Sequence, residues 1–102
     1  ITTDSGKTFT SKTDGTIFTL PAIAVGNVFT FVNTAEDGAN TLTISPNSSD
    51  GITYAGSSTD NKDLINTKAT SKIGDYVKIQ AMNGDVTAWQ VVDAQGVWAK
   101  ES

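Results

Sequence analysis

Apolar and polar side chains alternate along much of the chain, and this period of two predicts β-strands. The strongest pattern covers residues 28–32, where Val28 and Val32 point to one side and Phe29 and Phe31 to the other. The remaining predicted elements are strands at residues 7–13, 16–20, 41–45, 52–54, 68–72, 76–81, 86–92 and 97–100, and one helical turn at residues 62–66. The side chains expected to face the core from these strands are Phe18, Leu20, Leu42, Ile44, Val77, Ile79, Ala81, Trp89 and Val91.

Turn-forming residues separate these strands and predict how they pair. Residues 14–15, 36–40 and 83–85 are rich in Asp, Asn and Gly, so we expect a β-hairpin around each of them. Short strands at intervals of roughly 8 to 12 residues are typical of sandwiches and barrels. We therefore predict an all-β fold, a small antiparallel β-sandwich or barrel, jelly-roll-like and built from hairpins. Residues 1–102 are expected to form a single domain, and the start at Ile1 agrees with its being the C-terminal part of a longer chain.

The composition removes most of the usual catalytic groups. The 102 residues include no Cys or His, and all seven basic residues are Lys. Disulfides and thiolate chemistry are excluded, and the commonest general base and transition-metal ligand is missing. The net charge of -4 opposes binding to nucleic acid, and no run approaches the roughly 20 apolar residues of a membrane span. We expect a protein that is not an enzyme, has no cofactor, and binds neither nucleic acid nor membrane.

Two pairs of acidic residues are candidates for acid–base chemistry, because a glycosidase needs only two carboxylates. The pairs are Glu36 with Asp37, and Asp60 with Asp63. Both lie in turns rich in Gly and Asn, where Asp normally hydrogen-bonds the backbone. We interpret them as turn residues rather than catalytic ones.

Two runs of oxygen-bearing side chains, residues 47–50 and 60–63, are candidates for calcium binding. Neither run matches an EF-hand loop, and Lys62 would repel a cation. We predict no metal site.

Aromatic side chains can stack on a sugar ring, which makes them candidates for ligand binding. The candidates are Trp89, Trp98, Tyr54 and Tyr76. Trp89 alternates with apolar neighbours and is interpreted as a core residue. Tyr54 lies in the polar stretch 46–61 and is expected to be the most exposed of the four. Together with Asp50 and Asp60 it forms a candidate ligand loop, which supports an alternative function in carbohydrate or receptor binding.

The strand at residues 28–32 is apolar on both sides, whereas a strand in a sheet with one wet face needs only one apolar side. Either the apolar stretch 21–25 lies over it or a second subunit covers it. In the second case the chain is a homo-oligomer. The predicted interface residues are then Val28, Phe29, Phe31, Val32 and Trp98.

A succession of short segments resembles the structural proteins of bacteriophage particles: tail fibres, head fibres and capsid decoration proteins. The segments are residues 19–22 (TLPA), 26–33 (GNVFTFVN), 41–44 (TLTI), 74–77 (GDYV), 89–91 (WQV) and 96–98 (GVW). The resemblance implies a compact β domain, commonly trimeric, that projects from a virion. It implies no particular binding residues.

The short length favours a capsid decoration (cement or head-fibre) protein over a long tail fibre. We accordingly expect a phage virion structural protein on the surface of the capsid or tail. Its expected partners are copies of itself in a homotrimer, and the major capsid protein or other virion proteins. The alternative is a carbohydrate- or receptor-binding tip domain of a tail fibre, whose partners would be glycans on the host surface.

Overall fold

A computed structural model describes residues 6–23, 27–56, 59–81 and 88–101 of the chain. This part of the chain forms nine β-strands. They are β1 (Thr8–Ser11), β2 (Ile17–Thr19), β3 (Val28–Asn33), β4 (Leu42–Ser45), β5 (Gly51–Thr53), β6 (Leu64–Asn66), β7 (Tyr76–Gln80), β8 (Ala88–Gln95) and β9 (Ala99–Lys100).

The nine strands form two sheets that enclose one core. The five-stranded sheet has the order β1-β3-β7-β8-β5, and the four-stranded sheet has the order β2-β4-β6-β9. Burial alternates along β3 and β4, so every second side chain of these strands faces the space between the sheets. The prediction of an all-β sandwich is confirmed.

Two of the three predicted hairpins are wrong. β1 and β2 lie in different sheets, as do β3 and β4; β1 pairs in parallel with β3, and β2 with β4. The connections carry the chain from one sheet to the other, so successive apolar side chains meet across the core. The rings of Phe9 on β1 and Phe18 on β2, for example, have centroids 5.8 Å apart. Both sheets are therefore mixed rather than purely antiparallel.

The third predicted hairpin is the antiparallel pair β7–β8. The pairing agrees with the prediction, while the turn predicted at residues 83–85 and the start of the strand predicted at residues 86–92 lie outside the described residues. A register shift between Lys78 and Ile79 marks an irregularity in this pair. β8 also continues to Gln95, beyond the predicted end of the strand.

Two predicted elements between β5 and β7 have the wrong type. Residues 62–66 form no helical turn: Leu64 and Asn66 are buried and Ile65 points outward, which is the alternation of strand β6. Residues 68–72 form turns rather than a strand, because the Ser71 N–H donates to the Lys68 carbonyl at 3.3 Å. The local sequence favoured a helical turn at residues 62–66 and a strand at residues 68–72. Pairing with β4 and β9 makes Leu64–Asn66 a strand instead.

A cluster of aromatic rings fills the core. Phe31 lies 5.1 Å from Phe18 and 5.6 Å from Phe9, between ring centroids, and Phe29 lies 5.5 Å from Trp89. The other buried apolar side chains of this cluster are Leu20, Leu42, Ile44, Ile52, Leu64, Val77, Ile79, Ala81 and Trp98. Of the predicted core residues, Phe18 and Val91 are only partly buried.

The core position of Phe29, Phe31 and Trp98 corrects their prediction as interface residues. One chain encloses all three side chains, so they offer no surface to another subunit. Val28 and Val32 point outward from β3 and are half-buried, so their place in an interface stays a prediction. Of the stretch 21–25, Ile23 packs against the core and residues 24–25 lie outside the described part.

Replacing Phe31 by Ala should lower the free energy of unfolding by about 3 to 5 kcal/mol, because it leaves a cavity among the rings. Val92→Ala, at a side chain that is 39% exposed, is the control and should change stability little. Urea denaturation followed by tryptophan fluorescence measures both. Equal losses in the two variants would contradict the central position of Phe31.

Candidate functional site

Four connections between the sheets gather at one end of the sandwich. β1 and β3 run parallel, and β7 is antiparallel to both β3 and β8, so β1, β3 and β8 finish at the end where β7 begins. The connections are residues 12–16, 34–41, 67–75 and 96–98. We call this region the four-loop end. Loops at one end of a sandwich are a common place for binding sites.

Four buried polar side chains form a ladder of hydrogen bonds beneath the four-loop end: Asn40, Asn33, Asn66 and Asp75. Asn40 Nδ2 donates to Asn33 Oδ1 at 3.1 Å, and Asn33 Nδ2 donates to Asn66 Oδ1 at 2.8 Å. Asn66 Nδ2 then donates to Asp75 Oδ2 at 3.2 Å. Because Asn33 belongs to β3 and Asn66 to β6, the ladder joins the two sheets.

The same ladder holds the backbone of the connections. The Ala35 N–H, the Lys72 N–H and the Val97 carbonyl bond to ladder side chains at 3.1, 2.9 and 3.1 Å. Hydrogen bonding offsets much of the cost of burying these amides and the carboxylate. The result is an end whose connections are fixed relative to one another.

Two carboxylates at the surface of the four-loop end, those of Asp14 and Asp37, bond to residues of neighbouring connections. Asp14 Oδ2 lies 2.7 Å from Lys68 Nζ, and the hydrogen bond from Lys68 lowers the pKa of Asp14. Asp37 Oδ1 accepts a hydrogen bond from the Ile73 N–H at 2.9 Å. Asp37 thus bonds the backbone of a neighbouring connection. This agrees with its interpretation as a turn residue that hydrogen-bonds the backbone.

The candidate ligand loop turns two of its three predicted side chains, Asp50 and Tyr54, towards the protein interior. Asp50 is buried, and its Oδ2 accepts a hydrogen bond from the Ile23 N–H at 3.0 Å. Its backbone carbonyl also accepts from the Asn61 N–H at 2.9 Å, so Asp50 organises the loop from inside. Tyr54 is half-buried and packs against the core, while Asp60 is exposed. The part of the chain that the structure describes encloses no pocket around them.

The second carboxylate pair and the calcium candidates show no shared site. The Asp63 N–H donates to Glu101 Oε1 at 3.0 Å, which joins the start of β6 to the end of β9, and the Ser49 N–H donates to Asn47 Oδ1 at 3.1 Å within one turn. Within residues 6–23, 27–56, 59–81 and 88–101, no three acidic side chains come together in a way that would hold a metal ion.

The aromatic candidates do not form a common platform. Trp89 is fully buried, which confirms its interpretation as a core residue. Trp98 is buried as well and donates its Nε1–H to the Gln95 carbonyl at 3.0 Å. Tyr76 is half-buried on the outer side of β7.

The outer side of the five-stranded sheet carries charged and polar groups. Lys78 on β7 lies opposite Asp93 on β8. The Tyr76 hydroxyl donates to Asp93 Oδ2 at 3.0 Å. This hydrogen bond, together with the negative charge of Asp93, raises the pKa of Tyr76. The outward side chains of Val28 and Val32 lie on the same face, next to these polar groups.

The outer side of the four-stranded sheet is different. Ile17, Thr43, Ile65 and Ala99 lie opposite one another on β2, β4, β6 and β9, and so form one row across the sheet. We call it the uncharged row. Ile17 is 61% exposed, and the remaining outward positions of the described strands in this sheet are Thr19 and Ser45, which are also uncharged.

Sequence reasoning missed the uncharged row for two reasons. The helical turn predicted at residues 62–66 concealed the outward direction of Ile65. The hairpins predicted for β1–β2 and β3–β4 placed Ile17 and Thr43 in separate pairs instead of on adjacent strands. The alternation of Leu64, Ile65 and Asn66 is the signal that would have revealed it.

No protein-family model matches the chain, and no curated protein or solved structure matches it. The resemblance to phage virion proteins therefore stays a prediction. Among the described residues, the structure contains no helix of the length and apolarity needed to span a bilayer.

Gly96 lies against the ladder with a φ of +100°, and a Cβ at this position would overlap the Asp75 carboxyl group. Gly96→Ala should therefore lower the free energy of unfolding by about 3 kcal/mol, from backbone strain and displacement of Asp75. Gly15→Ala is the control: its φ is +84° but no atom lies within 4 Å, so about 1 kcal/mol is expected from strain alone. Thermal unfolding of both variants compares them, and equal losses would contradict the role of Asp75.

Asp93→Asn should lower the pKa of Tyr76 towards its ordinary value, because it removes the carboxylate that favours the neutral phenol. In the native protein the fold holds this proton more tightly than the unfolded chain does. The contribution of this group to stability is therefore present below pH 10.0 and is lost as the pH rises through the raised pKa. Absorbance titration in a Tyr54→Phe background isolates Tyr76, since the chain has two tyrosines. An unchanged midpoint would contradict the assignment.

Proposed function

We propose that this chain is a non-enzymatic structural protein of a bacteriophage particle, acting as a capsid decoration protein. The segments that resemble phage fibre and decoration proteins support this proposal. The sandwich supports it as well. Its largest aromatic side chains are buried in the core, and its buried amides and carboxylate hydrogen-bond the connections, so neither set forms a catalytic site. The homotrimer implied by the resemblance stays a prediction.

The uncharged row is the observation that carries the proposal. A lone exposed apolar side chain is ordinary on a protein surface. Here Ile17 and Ile65 share one row with Thr43 and Ala99, and no described outward position on these four strands bears a charge. Within the row no charge has to be desolvated when another protein covers it, and the carboxylates of Asp63 and Glu101 lie beside it at the ends of β6 and β9.

The chemistry of the side chains supports a role without catalysis. The chain has no His, Cys or Arg. Asp50 and Asp75, the two buried acidic residues of the described chain, both accept hydrogen bonds from backbone N–H groups, at 3.0 and 2.9 Å. Such carboxylates organise loops. The burial of Asp50 also weighs against the alternative function as a glycan-binding tip, since a residue of the candidate ligand loop faces inward.

Fractionation of phage particles from the source of this sequence tests the proposal. Particles purified on a density gradient and analysed by mass spectrometry should contain this chain at a fixed ratio to the major capsid protein. Antibodies against the chain should label the surface of intact particles in electron micrographs. A phage-encoded enzyme that is not part of the particle is the control and should be lost on the gradient. Detection of the chain in the lysate but not in the particle would overturn the proposal.

A further inference from the structure

We propose that the free edge of β1 binds an extended segment of another virion protein that carries acidic side chains, as an added strand of the five-stranded sheet. The inference rests on the proposed function, in which this chain contacts other proteins of the particle, and it names the chemistry of such a partner. Hydrogen bonding, apolar burial and charge along β1 each support it.

The backbone of β1 offers hydrogen-bonding groups on the side away from β3. The carbonyls of Lys7 and Ser11 accept hydrogen bonds from N–H groups of β3 and of the residue after it, at 3.2 and 2.9 Å. Backbone groups point to alternate sides along a strand, so those of Thr8 and Thr10 point away from β3. β1 is the last strand of its sheet in the described part of the chain. It therefore presents N–H and carbonyl groups at a repeat of about 6.6 Å, which an extended backbone matches.

The other edges of the two sheets are less suited to this role. Lys100 of β9 donates through Nζ to the Ile52 carbonyl of β5 at 2.7 Å and to the Lys62 carbonyl at 3.1 Å, so this side chain covers part of the β5 edge. β2 is the edge strand beside β1, but it is one residue shorter, and the residues on either side of it carry no charge. β1 is thus the edge that combines open backbone groups with charged ends.

Apolar surface lies beside the β1 edge. Phe9 on β1 and Phe18 on β2 pack with their ring centroids 5.8 Å apart, and both side chains are only partly buried. Phe29 and Phe31 on β3, one strand further in, are fully buried. An added strand would place every second side chain over the two partly exposed rings, and burial of this apolar area favours binding.

The charges beside β1 are positive. Lys7 and Lys12 lie immediately before and after the strand, both are exposed, and no residue of the strand itself is charged. The carboxylate of Asp14, two residues beyond Lys12, is paired with Lys68 at 2.7 Å. Glu36 lies in the adjoining connection and is exposed. The edge strand therefore has a lysine at each end, and the nearest carboxylate along the described chain already has a partner.

These lysines favour an acidic partner over a second copy of the chain. If two β1 strands paired, in parallel or antiparallel, the lysines at their ends would lie side by side and repel each other. Glutamate or aspartate at the ends of an added strand would instead pair with Lys7 and Lys12. The partner segment is accordingly extended, apolar at every second position and acidic at its ends.

Binding of synthetic peptides to the purified chain is the first test, measured by fluorescence anisotropy. The probe is a fluorescein-labelled peptide of sequence EVTVTE, which should bind with a Kd of about 100 µM. The peptide KVTVTK should bind about 10-fold more weakly. EVTVTE with every internal amide N-methylated keeps its charge but loses its backbone donors, and it should not bind. Absence of saturable EVTVTE binding up to about 1 mM, or equal binding of the methylated peptide, overturns the inference.

Two proline variants test which edge is used. Thr10→Pro removes an N–H that points away from β3, so the sheet keeps its bonds while an added strand loses a donor. It should weaken EVTVTE binding by about 10-fold. Thr19→Pro is the matched control on β2, where the neighbouring Leu20 N–H bonds β4 at 2.8 Å, and it should leave binding unchanged. Thermal unfolding checks that both variants fold. Loss of binding in Thr19→Pro but not in Thr10→Pro would assign the site to β2 and overturn the inference.

A charge reversal tests the same edge without changing the backbone, and it decides the matter if Thr10→Pro does not fold. Lys7→Glu combined with Lys12→Glu alters two exposed side chains. The double variant should bind KVTVTK about 10-fold more tightly than EVTVTE, which reverses the preference of the wild-type chain. An unchanged preference for EVTVTE would contradict binding at β1.

Sedimentation of the purified chain at about 100 µM tests a second copy as the occupant. Any oligomer that forms should persist in Thr10→Pro, because β1 takes no part in it. An oligomer that Thr10→Pro disrupts would make a second copy the occupant of the edge and overturn the inference.

These results are separate from the test of the proposed function. A chain that is found on particles but binds no EVTVTE sinks the inference and leaves the decoration role. A chain that binds EVTVTE through β1 but is absent from particles sinks the decoration role and leaves the edge site.

Discussion

Packing of aromatic rings across the gap between the two sheets is the interaction on which the rest of the structure depends. Phe9 and Phe31 come from the five-stranded sheet and Phe18 from the four-stranded sheet, and their rings meet within 6 Å. Burying rings of this size supplies the largest share of the apolar free energy available to a small domain. The crossing after β1 brings the rings of Phe9 and Phe18 together, and the crossing after β3 places Leu42 and Ile44 in the same core.

The crossings create a second requirement, which the ladder of Asn40, Asn33, Asn66 and Asp75 meets. Every connection between sheets leaves backbone groups without a strand partner, and those groups need hydrogen bonds if they are buried. Amide side chains can donate and accept at once, so a short series of them can serve several connections together. The four-loop end is consequently fixed by polar contacts, while the middle of the sandwich is held by apolar ones.

With the aromatic rings inside and the ladder beneath one end, the outer faces are left for other roles, and the two differ. One carries Tyr76, Lys78 and Asp93 beside the outward Val28 and Val32, and the Tyr76 hydroxyl donates a hydrogen bond to Asp93. The other carries the uncharged row of Ile17, Thr43, Ile65 and Ala99. The uncharged positions of this row on β2, β4, β6 and β9 are the structural support for proposing that the protein works by assembly.

The alternation of side chains along residues 28–32, 41–45 and 76–81 was enough to predict strands, an all-β sandwich and the buried positions of Leu42, Ile44 and Val77. These properties follow from the period of two, which is local. Which strands lie side by side is not local: β1 and β2 are separated by a turn suited to a hairpin, yet each pairs with a strand more than twenty residues away. The inward place of Asp50, the ladder and the uncharged row all follow from that pairing. Only the tertiary structure decided them, because burial of the rings between two sheets outweighs the preference of any single turn.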